Sequence, residues 1–441
     1  MHAVHARFVD SDDDEKLGTL AMPNENPSMS PCPPPPSQTN AFTLMSSIST
    51  DYDGNDQCYV LHLAAPSPTA IAAALSNKEI KLYSLANDDL HFVGNLNGHT
   101  KTITSLHAID PNTLLSSSND GTVVEWDLRS STPQTRVYRA GNQEIACSST
   151  NGTLIAAGAR DNILFWDRLS GRPLTSFTDT HFQDVTQLAF HPINKNVFTS
   201  ASEDGLIAVF DTSSGLDEDE GFKAALNIDT AVARLGFYGP GLDKLWCCSG
   251  TETLHVWEWA AACDDEMVGG NGALGESTVD TTRPLLQFDT SGSDNTHADY
   301  LIQCEYDPSS DQLVVVAGTN NGEVGLFPVG VGATGGEGVE TATTIPSTSI
   351  HFGAPVAVMK SEENRGHCDI VRSVVWVGGV HGEGGSGSGG GSVWVTGGED
   401  ARLSVWRSGG GAREEGAPPP QASIAEPIKK QPTHVRRVSP Y

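Results

Sequence analysis

At 441 residues, 38% hydrophobic and 18% charged, the chain can bury a large core, which excludes wholesale disorder. A formal charge of −29 (26 basic against 55 acidic side chains) repels nucleic acid and anionic lipid, so neither is an expected partner. No apolar run approaches the ~18 residues of a membrane span, and the first residues lack a basic-then-apolar signal segment, so no membrane partner is expected and the expected compartment is cytoplasm or nucleus.

Residues 1–41 combine Asp12-Asp13-Asp14-Glu15 with Pro33 to Pro36 and read as a disordered tail. The apolar segment 42–48, Phe42 to Ile48, reads as a strand from outside the repeats that follow. The first repeat ends in Tyr83 after a turn at Ser76-Asn77. The second is the clearest: Gly98-His99, the strand-like Thr102 to Leu106, Leu114-Leu115-Ser116, the hairpin Asn119-Asp120-Gly121, then Val123 to Trp126-Asp127. A third ends in Trp166 after Arg160-Asp161-Asn162. The fourth carries His181, Asp184 to Pro192, Glu203-Asp204-Gly205 and Phe210-Asp211. The fifth ends in Trp257 and the sixth in Phe327. The seventh has Gly366-His367, Asp369 to Trp376, Thr396 to Asp400 and Trp406. Residues 408–441 read as a second disordered tail, glycine- and proline-rich, then basic at Lys429, Lys430, Arg436 and Arg437.

The first four spacings between these aromatic ends are about 40 to 47 residues, the span of a four-stranded propeller blade. The last two are longer, with glycine-rich or acidic insertions filling the excess. Short apolar runs such as Leu154 to Ala157 and Leu313 to Ala317 fit strands covered on both faces. The expected fold is all-β, a seven-bladed propeller over 42–407, with 42–48 supplying the outer strand that the last repeat lacks.

The Gly-His to Trp-Asp signature resembles the WD-repeat family. That resemblance implies a buried structural network of His99, Ser116, Asp120 and Trp126 in one blade and His367, Thr396, Asp400 and Trp406 in another. A third blade offers His181, Ser200 and Asp204 without an indole. The fifth and sixth blades lack the set and are expected to rest on packing alone. Asp184 to Pro192 with Asp204-Gly205-Leu206, Asp299 to Ile302 with Gly318-Thr319-Asn320, and Val371-Arg372-Ser373 with Thr396 to Ala401 resemble the WD repeat-containing protein 89 branch of that family. It implies a propeller scaffold without a settled biochemical role.

Sites for chemistry are sparse. Gly330-x-Gly332-x-x-Gly335 matches a dinucleotide fingerprint as a string but lies in a glycine-rich loop with no helix to follow. The eight cysteines form no Cys-x-x-Cys pair, and the 14 histidines do not cluster at ligand spacing. No catalytic residue, cofactor site or metal site is assigned, and a propeller hydrolase has no supporting motif.

The tails carry −4 and +2, which leaves about −27 on the body. Insertions at 213–222, 260–282 and 328–343 and the stretch Val377 to Ser392 should emerge on the rim opposite the Gly-His loops. With Asp88-Asp89, Asp217-Glu218-Asp219-Glu220 and Asp264-Asp265-Glu266 placed there, that rim is expected to be acidic and to hold basic protein clients such as ribosomal proteins or histones. Trp126-Asp127-Leu128-Arg129 also fits the pattern of substrate receptors of cullin-RING ubiquitin ligases, with Arg129 as the contact. The expected function is a monomeric, non-enzymatic protein-interaction scaffold.

Overall fold

The computed structural model describes residues 40–50, 58–259, 263, 279–280, 287–288, 296–333, 348–352, 355–361, 366–379 and 392–408. The two tails, apart from Asn40, Ala41 and Ser408, and the cluster Asp264-Asp265-Glu266 lie outside these residues.

Blade two shows how the sequence makes a sheet. Its strands are Ile103–Asp110, Thr113–Ser118, Thr122–Asp127 and Gln134–Arg139, each antiparallel to the next. Between the second and third, Gly121 adopts φ +79°, a left-handed conformation that glycine takes without steric cost, and the Asp120 carboxylate accepts the Thr122 N–H at 3.0 Å. Leu114 to Ser118 are all buried, because this strand has a neighbouring blade on both faces.

Six further blades repeat the plan. Blade one comprises Val60–Ser67, Ala70–Leu75, Ile80–Ala86 and Asp89–Leu96; blade three Cys147–Thr150, Leu154–Ala159, Asn162–Asp167 and Pro173–Phe177. Blade four has Val185–Phe190, Val197–Ser202, Leu206–Asp211 and Phe222–Asn227. Blade five has Val232–Tyr238, Lys244–Ser249, Thr253–Trp257 and the two-residue Val279–Asp280. Blade six is formed by Tyr300–Asp307, Gln312–Gly318, Val324–Ala333 and Ala357–Met359. Blade seven takes Val371–Gly379, Ser392–Gly398 and Arg402–Ser408 from the end of the chain, and its outer strand from the beginning: Asn40–Ser49 runs antiparallel to Arg402–Ser408, with Leu44 opposite Trp406 and Ile48 opposite Leu403. The same strand pairs in parallel at Asn40 and Ala41 with the outer strand of blade six.

The seven repeat-ending aromatics all stand on third strands and are buried, from Tyr83 to Trp406. Around the ring each first strand touches the first strands of the next and previous blades. The apolar core accordingly divides into seven clusters, one per blade-to-blade seam; the seam between blades seven and one joins Val395, Leu403 and Val405 to Val60, Ile71 and Leu75. Adjacent side chains on one strand serve different seams: Cys247 packs toward blade four, Cys248 toward blade six. Two glycines permit the approach of neighbouring first strands. A Cβ on Gly158 would lie 2.7 Å from the Val185 carbonyl oxygen, and one on Gly397 would collide with Val60.

Two insertions differ from expectation. The glycine-rich stretch after Phe327 is not loop from residue 328: the third strand of blade six continues to Ala333 and pairs with Thr348–Phe352, so Gly330 and Gly332 are strand residues opposite His351 and Ser349. The 213–222 insertion contains one turn of helix, Glu218–Gly221, capped by the Asp217 side chain.

Candidate functional site

The structure brings together each of the three polar sets read from the sequence. In blade two, His99 lies 2.7 Å from Ser116 Oγ through Nε2 and 3.1 Å from Asp120 through Nδ1, while Trp126 Nε1 donates to Ser116 Oγ at 2.8 Å. In blade seven, His367 sits 2.8 Å from Thr396 Oγ1 and 2.9 Å from Asp400, with Trp406 donating to Thr396 at 2.8 Å. In blade four, His181 reaches Ser200 at 2.8 Å and Asp204 at 3.1 Å; Phe210, with no N–H to give, stacks on Phe198 at 4.8 Å.

Donor counting fixes the direction of the chain in blade two. The Asp120 carboxylate only accepts, so the proton of the neutral His99 ring sits on Nδ1, and Nε2 accepts from the Ser116 hydroxyl, whose oxygen in turn accepts the Trp126 indole N–H. Asp120 also accepts the Thr100 backbone N–H at 2.8 Å, tying the crossover from blade one to the hairpin of blade two. Burial holds the His99 and His181 imidazoles below their ordinary value, against the pull of their aspartates. These groups are enclosed and mutually satisfied, so their role is to fix the loops around them.

Blade five does not rest on packing alone. Ser249 Oγ lies 2.5 Å from Thr253 Oγ1, which lies 2.9 Å from His255 Nε2, and the His255 ring stacks on Trp257 with 8° between the planes. No spacing rule announced this substitute. In blade six, Asp299 accepts the Asn320 N–H at 2.7 Å, a shorter version of the crossover-to-hairpin tie.

The residues proposed as contacts have mixed surroundings. Arg129 is exposed and gripped by Asp127 on two sides, Nε to Oδ1 at 3.0 Å and Nη2 to Oδ2 at 2.9 Å. That pairing, together with the Arg129 N–H, holds Asp127 down to about 2. Asp88 is taken by Arg407. Glu218 is occupied by the crossover of blade four, accepting from the Thr178 N–H at 2.8 Å and the Asp179 N–H at 3.0 Å. Asp217, though exposed, caps the helix, which leaves the exposed Asp219 and Glu220 as the carboxylates of that cluster without a bond among the described residues.

Free carboxylates stand on the other rim, here termed the crossover face, where antiparallel alternation places the crossovers and the hairpins between second and third strands. Asp161, Asp184 and Glu203 are exposed, and their carboxylates make no hydrogen bond or ion pair among the described residues. Asp161 and Asp184 border a polar groove of about 850 Å³ with Asn119, Asn142 and Glu144. Arg160 is the basic residue of that groove, and Lys101 beside it is engaged by Glu144 at 2.7 Å.

Known proteins share this architecture. The family described as WD domain, G-beta repeat matches residues 90–127 and 171–211, the stretches that contain Trp126-Asp127 and His181 to Asp211. WD repeat-containing protein GTS1 of Arabidopsis thaliana is 33% identical over 389 residues, 86% of this chain and 88% of that one. The chain belongs to the WD-repeat family. The WD repeat-containing protein 89 homolog of Dictyostelium discoideum is 30% identical over 74% of this chain and 80% of its own length. GATOR2 complex protein Wdr59 of Drosophila melanogaster is 27% identical, over 33% of this chain and 16% of its own. Blade seven holds a complete polar set yet falls outside the two family matches; residues 380–391 separate its first and second strands and lengthen the repeat. As a WD-repeat propeller, the chain has the architecture of a protein-interaction scaffold.

Proposed function

We propose that this propeller is a non-enzymatic scaffold that holds basic segments of client proteins on its crossover face. The observation that carries the reading is the set of unpaired carboxylates of Asp161, Asp184 and Glu203 beside the polar groove, on a body of about −27. Such a surface attracts and orients cationic chains, with affinity that falls as salt rises. This moves the proposed contact from the opposite rim, where Asp88 is held by Arg407, and from Glu218, which reaches back to the crossover into blade four. A relative named as a GATOR2 complex protein supports assembly with other proteins as the general mode. The same reading takes cytoplasm or nucleus as the compartment.

The test is fluorescence polarisation with a labelled lysine-rich peptide at graded salt. Wild type should bind, weaken steeply between low and physiological salt, and lose about tenfold in affinity, ~1.4 kcal/mol, when Asp161→Asn, Asp184→Asn and Glu203→Gln are combined. Equal binding by that triple variant, or none by wild type, disposes of the reading.

A second reading, substrate receptor of a cullin-RING ubiquitin ligase, is favoured by Arg129: Asp127 fixes its fork on the surface instead of burying it. Wild type should then co-purify with a ligase adaptor and Arg129→Ala should not; wild type without adaptor ends the idea.

A further inference from the structure

The mouth of the central channel opens on the crossover face as a cavity of about 810 Å³, lined from six of the seven blades by residues that include His62, Gln187, Arg234, Tyr300 and Ile370. Arg234 stands at a bulge in the first strand of blade five, where the register slips between Val232 and Arg234, so its side chain is carried into the channel. The side chain is partly buried in the channel wall, and among the described residues its guanidinium has neither a hydrogen bond nor an ion pair.

The acidic groups around it are occupied. Glu399 pairs with Arg372, Glu252 accepts the Leu301 N–H, Asp299 accepts the Asn320 N–H, and Glu305 is hydrogen-bonded by Gln303. The charge on Arg234 is nevertheless felt across the channel. Crowding by the channel wall lowers His62 of blade one and His107 of blade two, and the charge on Arg234 adds to it; the same charge opposes the upward push on Glu305 of blade six. A guanidinium that no group of the channel wall engages is available to a ligand, and its planar fork suits a carboxylate or a phosphoryl group.

We infer that Arg234 anchors an anion-binding site at the channel mouth, which receives an acidic side chain of a protein segment laid across the crossover face. The inference rests on the reading of that face as the client surface, and it narrows the client: cationic residues over the free carboxylates, with one carboxylate or phosphorylated side chain turned down into the ring. Gln187 and His62 line the same cavity and supply polar contacts beside the fork.

The experiment titrates the full chain with sodium glutarate and, separately, with inorganic phosphate, at constant ionic strength, following thermal unfolding. Wild type should show a saturable rise in Tm, and Arg234→Gln should need at least tenfold more anion for the same rise. Glutarate acting at lower concentration assigns the pocket to a carboxylate side chain; phosphate acting at lower concentration assigns it to a phosphorylated one. Without anion, Arg234→Gln should be as stable as wild type or more so, because an unpaired charge has been removed. A destabilised Arg234→Gln would make the arginine a structural element and overturn the inference, as would equal anion responses in the two proteins or no response in wild type. Because these probes carry no basic residues, the outcome is independent of lysine-rich peptide binding, and either reading can fall alone.

Discussion

Blade two and blade five share a four-strand plan but secure their inner polar groups differently. In blade two a chain of four side chains crosses both middle strands and reaches the crossover through His99 and the Thr100 N–H. In blade five the chain Ser249–Thr253–His255 stays within two strands, and the crossover into that blade is met at its hairpin by a backbone bond, Gly250 N–H to the Ala231 carbonyl at 2.7 Å. The first arrangement ties three separated segments together, so losing one member orphans the others; the second is local. Among the described residues, blade five also has the shortest outer strand, Val279–Asp280.

The largest test of this contrast is Ser116→Ala. It removes the one oxygen shared by the Trp126 indole and His99 Nε2 and leaves two buried groups without partners, at a cost of about 3 kcal/mol. Urea unfolding should show a lower midpoint with unchanged slope. A loss under ~1 kcal/mol would mean the set contributes packing rather than hydrogen bonding.

Ser200→Ala in blade four is the intermediate case. Only His181 Nε2 is orphaned, since Phe210 makes no demand on that oxygen, and the expected loss is about 2 kcal/mol. Ser249→Ala in blade five should cost about 1 kcal/mol, because Thr253 Oγ1 keeps His255 Nε2 at 2.9 Å and the hairpin N–H groups released, those of Thr251 and Thr253, stand near solvent. If the three losses came out equal, the distinction between a spanning network and a local one would collapse.

The architecture was legible because its signals are local. Gly98-His99, Asn119-Asp120-Gly121 and Trp126-Asp127 mark a crossover, a hairpin and a strand end in one stretch of sequence, and the aromatic spacing counts the blades. Phe42 to Ile48 could be matched to blade seven because nothing strand-like follows Trp406. Other features were hidden for physical reasons. Glycine has low strand preference, so the extension through Gly330 and Gly332 looks like loop until its partner Thr348–Phe352 is seen. The use of Glu218 by Thr178 and Asp179 joins residues 40 and 39 positions apart. The setting of Arg234 depends on residues from six blades, which no linear pattern records.

The smallest expected effect comes from pH, and it tests the direction of the blade-two and blade-four chains. Burial keeps His99 and His181 below the ordinary imidazole value of 6.5, so the folded state binds fewer protons than the unfolded chain in that range. Their contribution is therefore complete above the unfolded value and is lost as pH falls through 6.5 toward the lower folded value. Asp120 contributes little there: burial would raise it, but bonds from Thr122, the Thr100 N–H and His99 hold it below its ordinary value, and it stays ionised. Acidification from about pH 7 to about pH 5.5 should lower the urea midpoint modestly, and His181→Gln should flatten that dependence by removing one titrating site. An unchanged slope in His181→Gln would mean the imidazole protonates as easily inside the blade as outside. That outcome contradicts the enclosure of the His181 ring, since burial disfavours its charged form.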